Sequence, residues 1–334
     1  MSTRRPLVLI VVAAGLALAI VLAALAGAGL FAADHLAPIT GPSTDPGELW
    51  AVPPIETSAI AVAAVLYALA VRRLGGVSGR RRLSFAAGLL IILAAVVSPL
   101  TGMAQQGLLT AHMLQHTLIG AVAPLLLLLG LPRDFATRLV GPVAMRRLQR
   151  LQHPAVAYPV WAVSTVLWLV PAVHHEVLHN SAIWIVQQFS FALFGLLLWA
   201  PVVESIPAPA WFSTGWKGGY MNGVWTLGLF IANVYWFSGT AFYESHAAAA
   251  DAWGFEALED QANAGTVMMI LHCLLAFGAI TYLFFRQARE GELSQRLIEA
   301  GLEPARVSAA IRAGGGEALA RTHGIPVRTR PGID

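Results

Sequence analysis

The sequence predicts an all-α protein, a polytopic helix bundle embedded in a lipid bilayer, and three observations carry that expectation. Hydrophobic residues fill 57% of the 334 positions and charged residues only 12%, against roughly 45–50% and 25% in soluble domains. Apolar runs recur along the chain, each about 17–24 residues long, enough to cross a hydrocarbon core of about 30 Å at 1.5 Å per residue. All 21 Lys and Arg residues fall on one side of the topology those runs define.

In chain order, Met1 to Pro6 carries Arg4 and Arg5 and leads into an unbroken apolar run from Leu7 to Ala33. A cleavable signal peptide has an apolar core of only about 7–15 residues. Residues 1–33 are therefore expected to be a retained N-terminal transmembrane anchor, with Ala32-Ala33-Asp34 leaving cleavage open. Residues 34–53 form an outer loop containing Pro and Gly. Seven further apolar spans lie near 55–71, 83–101, 109–131, 155–173, 182–203, 219–241 and 263–285, giving a seven-helix membrane core over 54–286. Residues 287–334 turn polar and read as a cytoplasmic tail, with a helix-compatible piece from Gly291 to Gly301 and a break at Gly314-Gly315-Gly316. There is no internal repeat, heptad pattern or low-complexity tract.

The cations fix the expected orientation. Arg4 and Arg5, Arg72 to Arg82, Arg133 to Arg150, Lys217, and Arg286 to Arg330 share the side that holds both termini, and the opposite side has none. That asymmetry predicts N-in and C-in for eight spans. The pI near 9.3 then reports membrane orientation, and nucleic acid is not an expected partner. The single cysteine, Cys273, excludes an internal disulfide and any Cys-rich metal site.

The same topology collects imidazole and carboxylate on the cation-free outer face, where His174, His175, His179, His246, Glu244 and Asp260 fall in or beside loops. Such a face suits reception of a metal cation. Within the third core helix His112 and His116 stand one turn apart with Met113 beside them. Polar groups at membrane depth are costly unless they pair or work, so these are candidate metal or haem ligands, or else partners for Gln105, Gln106 or Gln115. In the last span Met268 with His272, and Met269 with Cys273, stand at i,i+4 and offer the soft and borderline ligands copper(I) prefers; the alternative is plain core packing. The string His175-Glu176-Val177-Leu178-His179 fits the zinc-protease pattern H-E-x-x-H, although Pro171 closely precedes it and no third ligand is evident.

With these residues in view, the chain resembles a known family. His112-Met113-Leu114-Gln115-His116, followed by Pro124 and Gly130-Leu131-Pro132, is similar to the first motif helix of the CtaG-type cytochrome c oxidase assembly factors, associated with caa-type oxidases. Trp168 and Pro171, Asn180, Phe189-Ser190-Phe191, Trp199 and Pro201 look like that family's next segments, and Asp260-Gln261 with Ala264-Gly265 and Met268 like its last-helix entry. The resemblance runs from about Trp50 to Arg286. It departs where members commonly show His-x-x-Glu-His, since Trp184, Gln187 and Gln188 stand there, and where a His often follows the Trp, since Leu169 stands there.

The resemblance implies an assembly factor for a haem–copper oxidase, with copper as the ion handled, oxidase subunits as partners and the bilayer as its medium. Outer His and acidic residues would capture copper, and His112 and His116, with Met268 and His272, would hold it for transfer to a docked subunit. No nucleophile–base pair or phosphate-binding loop points to an enzyme. A haem-bearing electron carrier using His116 and His272 is the alternative from another class, and a scaffold without metal chemistry is a third reading.

Overall fold

The structure is a computed structural model, and it describes residues 46–132, 141–206, 208–209, 211–312 and 314–326. The anchor expected over 1–33, most of the 34–53 loop and the end of the tail lie outside the described residues.

Thirteen helices account for most of the described chain: α1 Pro54–Leu74, α2 Gly79–Val97, α3 Pro99–Gln105, α4 Leu109–Gly130, α5 Pro142–Leu151, α6 Pro154–Leu169, α7 Pro171–His179, α8 Ser181–Val203, α9 Thr214–Phe237, α10 Glu244–Ala250, α11 Ala257–Glu299, α12 Pro304–Arg312 and α13 Gly316–Thr322. No strand occurs among the described residues. By length and apolar composition α1, α4, α8 and α11 can each cross a bilayer alone. The bent pairs α2–α3 (47°) and α6–α7 (71°) bring the number to six if each is one span. Helix α9, with Lys217 and several glycines, is long enough but less apolar. The protein is a helical membrane bundle.

Prolines punctuate these elements. Pro54, Pro99, Pro142, Pro154 and Pro171 open their helices, where a missing N–H costs nothing. The residues before Pro99 and Pro171, Ser98 and Val170, are driven into extended backbone, and both bends fall there. Asn180 starts α8, its Oδ1 accepting from the Ala182 and Ile183 amides at 3.0 and 3.3 Å.

The described residues divide into two compact units, one within Met1–Pro207 and Leu227–His272, the other within Ala208–Thr226 and Cys273–Asp334. In the first unit α4 is central: 56% of its apolar window is buried, against 17% for α1 and α11. Pro124 cannot donate to the Gly120 carbonyl, and α4 relaxes into a π turn over Leu118–Val122. There α8 crosses closely, with a Cβ on Gly195 falling 2.1 Å from the Gly120 oxygen, and Trp199 Nε1 donating to the Ala121 carbonyl at 3.0 Å. The far end of α4 packs on α2, where Ser84 Oγ donates to Leu126 O at 2.8 Å and Arg81 donates to the Leu131 carbonyl.

In the second unit the tail is helical further than its polarity alone suggests. Helix α11 continues to Glu299 with Arg286–Glu290 and Arg296–Glu292 pairs at i,i+4, and α12 and α13 close over a small core of Leu297, Val307 and Ala320. Lys217 is buried, its Nζ 5.9 Å from the centre of the Phe212 ring.

Candidate metal centre

The N-terminus of α4 is held across the chain. The buried carboxylate of Asp260, in the first turn of α11, accepts from the Leu109 and Thr110 amides at 2.8 and 3.0 Å and from Thr110 Oγ1 at 2.6 Å. Its neighbour Gln261 accepts from the Phe242 amide at 2.8 Å and donates to the Tyr235 and Thr240 carbonyls. This pair therefore ties the first turn of α4 to the 240s segment, and the histidines of both meet beside it.

Three imidazoles converge there. His112 of α4, His174 of α7 and His246 of α10 are all buried, and each offers a ring nitrogen such that the three lie within 4.8 Å of one another. His174 reaches the site because α6 breaks at Val170 and turns by 71° into α7. His246 reaches it because Gly107, at φ +95°, turns the α3–α4 loop and presents its carbonyl 2.7 Å from His246 Nδ1. Only glycine enters that left-handed conformation without strain.

Hydrogen bonds fix the protons. A carbonyl only accepts, so His246 Nδ1 carries the hydrogen and Nε2 a lone pair, directed at His174 Nε2 2.9 Å away. If the His174 Nε2 proton bridges that gap, its Nδ1 is left as an acceptor without a hydrogen bond. Neither ring nitrogen of His112 makes a hydrogen bond of normal geometry. An orphaned buried polar atom costs about 1–3 kcal/mol, and three imidazole nitrogens sharing one small volume are repaired together by one cation. Helix α10 lies outside the membrane spans, and burial pushes the His246 pKa down to about 4. The ring is neutral near pH 7, as a metal ligand must be.

The surroundings shape the site without supplying a further charge in contact. Trp184 stands edge-on to His112 with ring centres 5.2 Å apart. Tyr243 packs on His174 at 4.3 Å and donates to the Leu169 carbonyl at 2.8 Å, with its hydroxyl also paired to that of Tyr235. A cavity of about 320 Å³ leads from exposed His175 and Glu244, through Ser245, to His174. Three neutral nitrogens suit copper, zinc, iron or nickel, and the cavity supplies an entry path.

The structure sorts the residues singled out by sequence. His112 and His174 belong to the cluster. His116 lies next to it, its ring centre 4.2 Å from that of His112, but its Nε2 donates to Gln187 Oε1 at 3.1 Å. His175 and His179 stay on the exposed face of α7, ring against ring at 4.1 Å, with His179 Nδ1 bonded to the His175 carbonyl. They do not join the three-imidazole group, because rotations of about 100° for His175 and about 140° for His179 around the helix separate them from His174. Met113, Met268 and His272 line a separate, smaller cavity of about 40 Å³ together with His116.

The positions at which the chain departs from the resembled pattern, Trp184, Gln187 and Gln188, pack against α4. Trp184 covers His112, Gln187 holds His116, and Gln188 Nε2 donates to Gln115 Oε1 at 3.2 Å. Gln115 itself donates to the Ala95 carbonyl and Thr101 Oγ1. His246 is the member of the cluster that sequence reasoning left out of its site. It lay on the outer, imidazole-rich face, but no spacing within α10 links it to His112 or His174.

Comparison with known proteins adds the family. The family model described as cytochrome c oxidase caa3 assembly factor matches residues 65–290. No curated protein and no solved structure matches the chain.

Proposed function

The chain belongs to the cytochrome c oxidase caa3 assembly factor family, and we propose that it serves assembly by carrying copper, bound through His112, His174 and His246, to an oxidase subunit. The observation that supports this is the convergence of three buried imidazoles, two of which have ring nitrogens without a hydrogen bond of normal geometry. Copper is cargo in this reading. It enters past Glu244 and His175, loses its water to the three rings, and leaves by exchange of ligands, with no bond broken in the protein.

Orientation follows from the cations. Arg81 sits at the C-terminal end of α4 and the imidazoles near its N-terminus, roughly 25–30 Å away along the helix. In this reading the imidazoles lie toward the outer face of a bacterial plasma membrane and the cation-rich side lies inside, as the positive-inside rule expects.

The haem-carrier alternative lacks room. His116 and His272 share a cavity of only about 40 Å³, whereas sites for molecules of a porphyrin's size run to about 300–1,000 Å³. The zinc-protease reading lacks a third ligand: among the described residues His175, Glu176 and His179 form no converging group with another His, Cys, Asp or Glu.

The test is copper content, measured on both the protein and its client. Detergent-purified wild-type chain is expected to hold copper that a His112→Ala, His174→Ala variant loses. Oxidase isolated from cells carrying that variant is expected to retain haem and lack copper. Copper-replete oxidase from those cells, or a chain that binds no copper after loading, refutes the proposal.

A further inference from the structure

The second cavity holds a different set of ligands. Met113 and His116 of α4 and Met268 and His272 of α11 line a space of about 40 Å³ with Trp161 and Phe191 in its wall, roomy enough for a metal ion beside a few water-sized groups at about 10–15 Å³ each. Met113 and Met268 are almost fully buried in one apolar cluster.

Both imidazoles are prepared to offer a lone pair. His116 Nε2 donates to Gln187 Oε1 at 3.1 Å, which leaves Nδ1 unprotonated, and that atom is buried without a hydrogen-bond partner. His272 Nδ1 donates to the Met268 carbonyl at 2.8 Å, which leaves its Nε2 unprotonated. Fixing the tautomer of a ligating histidine through its other nitrogen is the usual role of an outer-shell hydrogen bond. The His272 ring also lies where a side chain on α9 would stand: a Cβ on Gly228 would meet it at 2.7 Å. Helix α9 thus leaves room for this ring and holds it in place.

We infer that Met113, His116, Met268 and His272 form a second metal site, selective for a soft monovalent cation, copper(I). Thioether sulfur with imidazole selects copper(I), and carries little affinity for hard divalent ions. The site rests on the copper-carrier reading above and extends it into a relay. His112 and His116 stand ring to ring at 4.2 Å, so copper(I) passes from the three-imidazole site by exchanging one nitrogen at a time for His116 and then for sulfur. Copper remains copper(I) throughout, and no electron or proton donor is required.

The experiment is anaerobic titration of the purified full chain with copper(I) supplied as its acetonitrile complex, read by stoichiometry and X-ray absorption. The wild type is expected to bind two copper ions per chain, one with sulfur neighbours. Met113→Leu with Met268→Leu, close in volume, is expected to bind one and lose the sulfur signal, while His112→Leu with His174→Leu keeps the sulfur-ligated ion. Selenomethionine-labelled wild type, which involves no substitution, is expected to show copper–selenium scattering. One copper without sulfur or selenium neighbours overturns this inference and leaves the three-imidazole site standing. One sulfur-ligated copper unaffected by the His112, His174 change supports this inference and removes the other site. No binding refutes both.

Discussion

Replacing His112 by Leu separates a metal site from a structural one, because the two roles predict opposite signs for stability. His112 is fully buried, and neither of its ring nitrogens has a hydrogen bond of normal geometry. In metal-free protein the ring carries a desolvation cost of about 1–3 kcal/mol that a poorly aligned contact with the Ala104 backbone returns only in part. Leucine has similar bulk, meets the apolar surface of Trp184 that now stands against the ring, and brings no polar atom. The metal-free variant is therefore expected to be more stable by about 1–2 kcal/mol, which in a chain of this size raises the unfolding temperature by on the order of 2–6 °C. Copper acts the other way. At a free concentration of 100 times Kd it stabilises the wild type by about 2.7 kcal/mol for each site it fills, and the increment from the three-imidazole site is absent from the variant. The assay is fluorescence-monitored thermal unfolding in detergent, with a chelator and then with copper(I). A metal-free His112→Leu protein that melts below wild type refutes the reasoning, since it would mean that the ring is satisfied and structural.

Asp260→Ala removes the carboxylate that caps α4, orphaning two amides, and is expected to cost about 2–3 kcal/mol; hydrogen exchange should show the loss first at the Leu109 and Thr110 amides. Gly195→Ala sets a methyl 2.1 Å from the Gly120 carbonyl oxygen and should cost about 3 kcal/mol, whereas Gly278→Ala, with nothing within 4 Å, should leave the melting temperature unchanged or slightly raised. For pH, the His246 value of about 4 against the usual 6.5 means that the unfolded chain binds more protons within that window. Stability is then complete above about 6.5 and falls by up to about 3 kcal/mol as pH drops to 4. This is checked by comparing melting curves of metal-free wild type with His246→Gln, whose dependence in that range should be shallower.

The apolar spans were legible in the sequence because hydrophobic length is a local property, and the expected runs at 109–131 and 182–203 match α4 and α8 within a residue or two. The breaks were less so. A run drawn through 155–173 conceals the turn at Pro171, and that turn carries His174 to His112. Spacing at i,i+4 drew attention to His175 and His179, yet a helical face is shared equally by residues that look inward and outward, and theirs looks outward. His246 carried no local signal, because its place depends on one carbonyl, that of Gly107, 139 positions earlier in the chain. Gln187 and Gln188 stood out only as departures from the resembled pattern; what the sequence could not show is that they are hydrogen-bond partners of His116 and Gln115.

The Asp260 cap has an electrostatic consequence for any cation bound at the three imidazoles. His112 lies in the first turns of α4, where the aligned peptide dipoles leave roughly half a positive charge at the helix N-terminus. A metal ion placed there would meet a repulsive field strengthened by the low polarity around it. The Asp260 carboxylate, lying on the Leu109 and Thr110 amides, cancels that field at its source, and it does so from the N-terminus of α11, whose own dipole it offsets as well. One buried anion thus turns the meeting point of two positively poled helix ends into a place where a cation can reside.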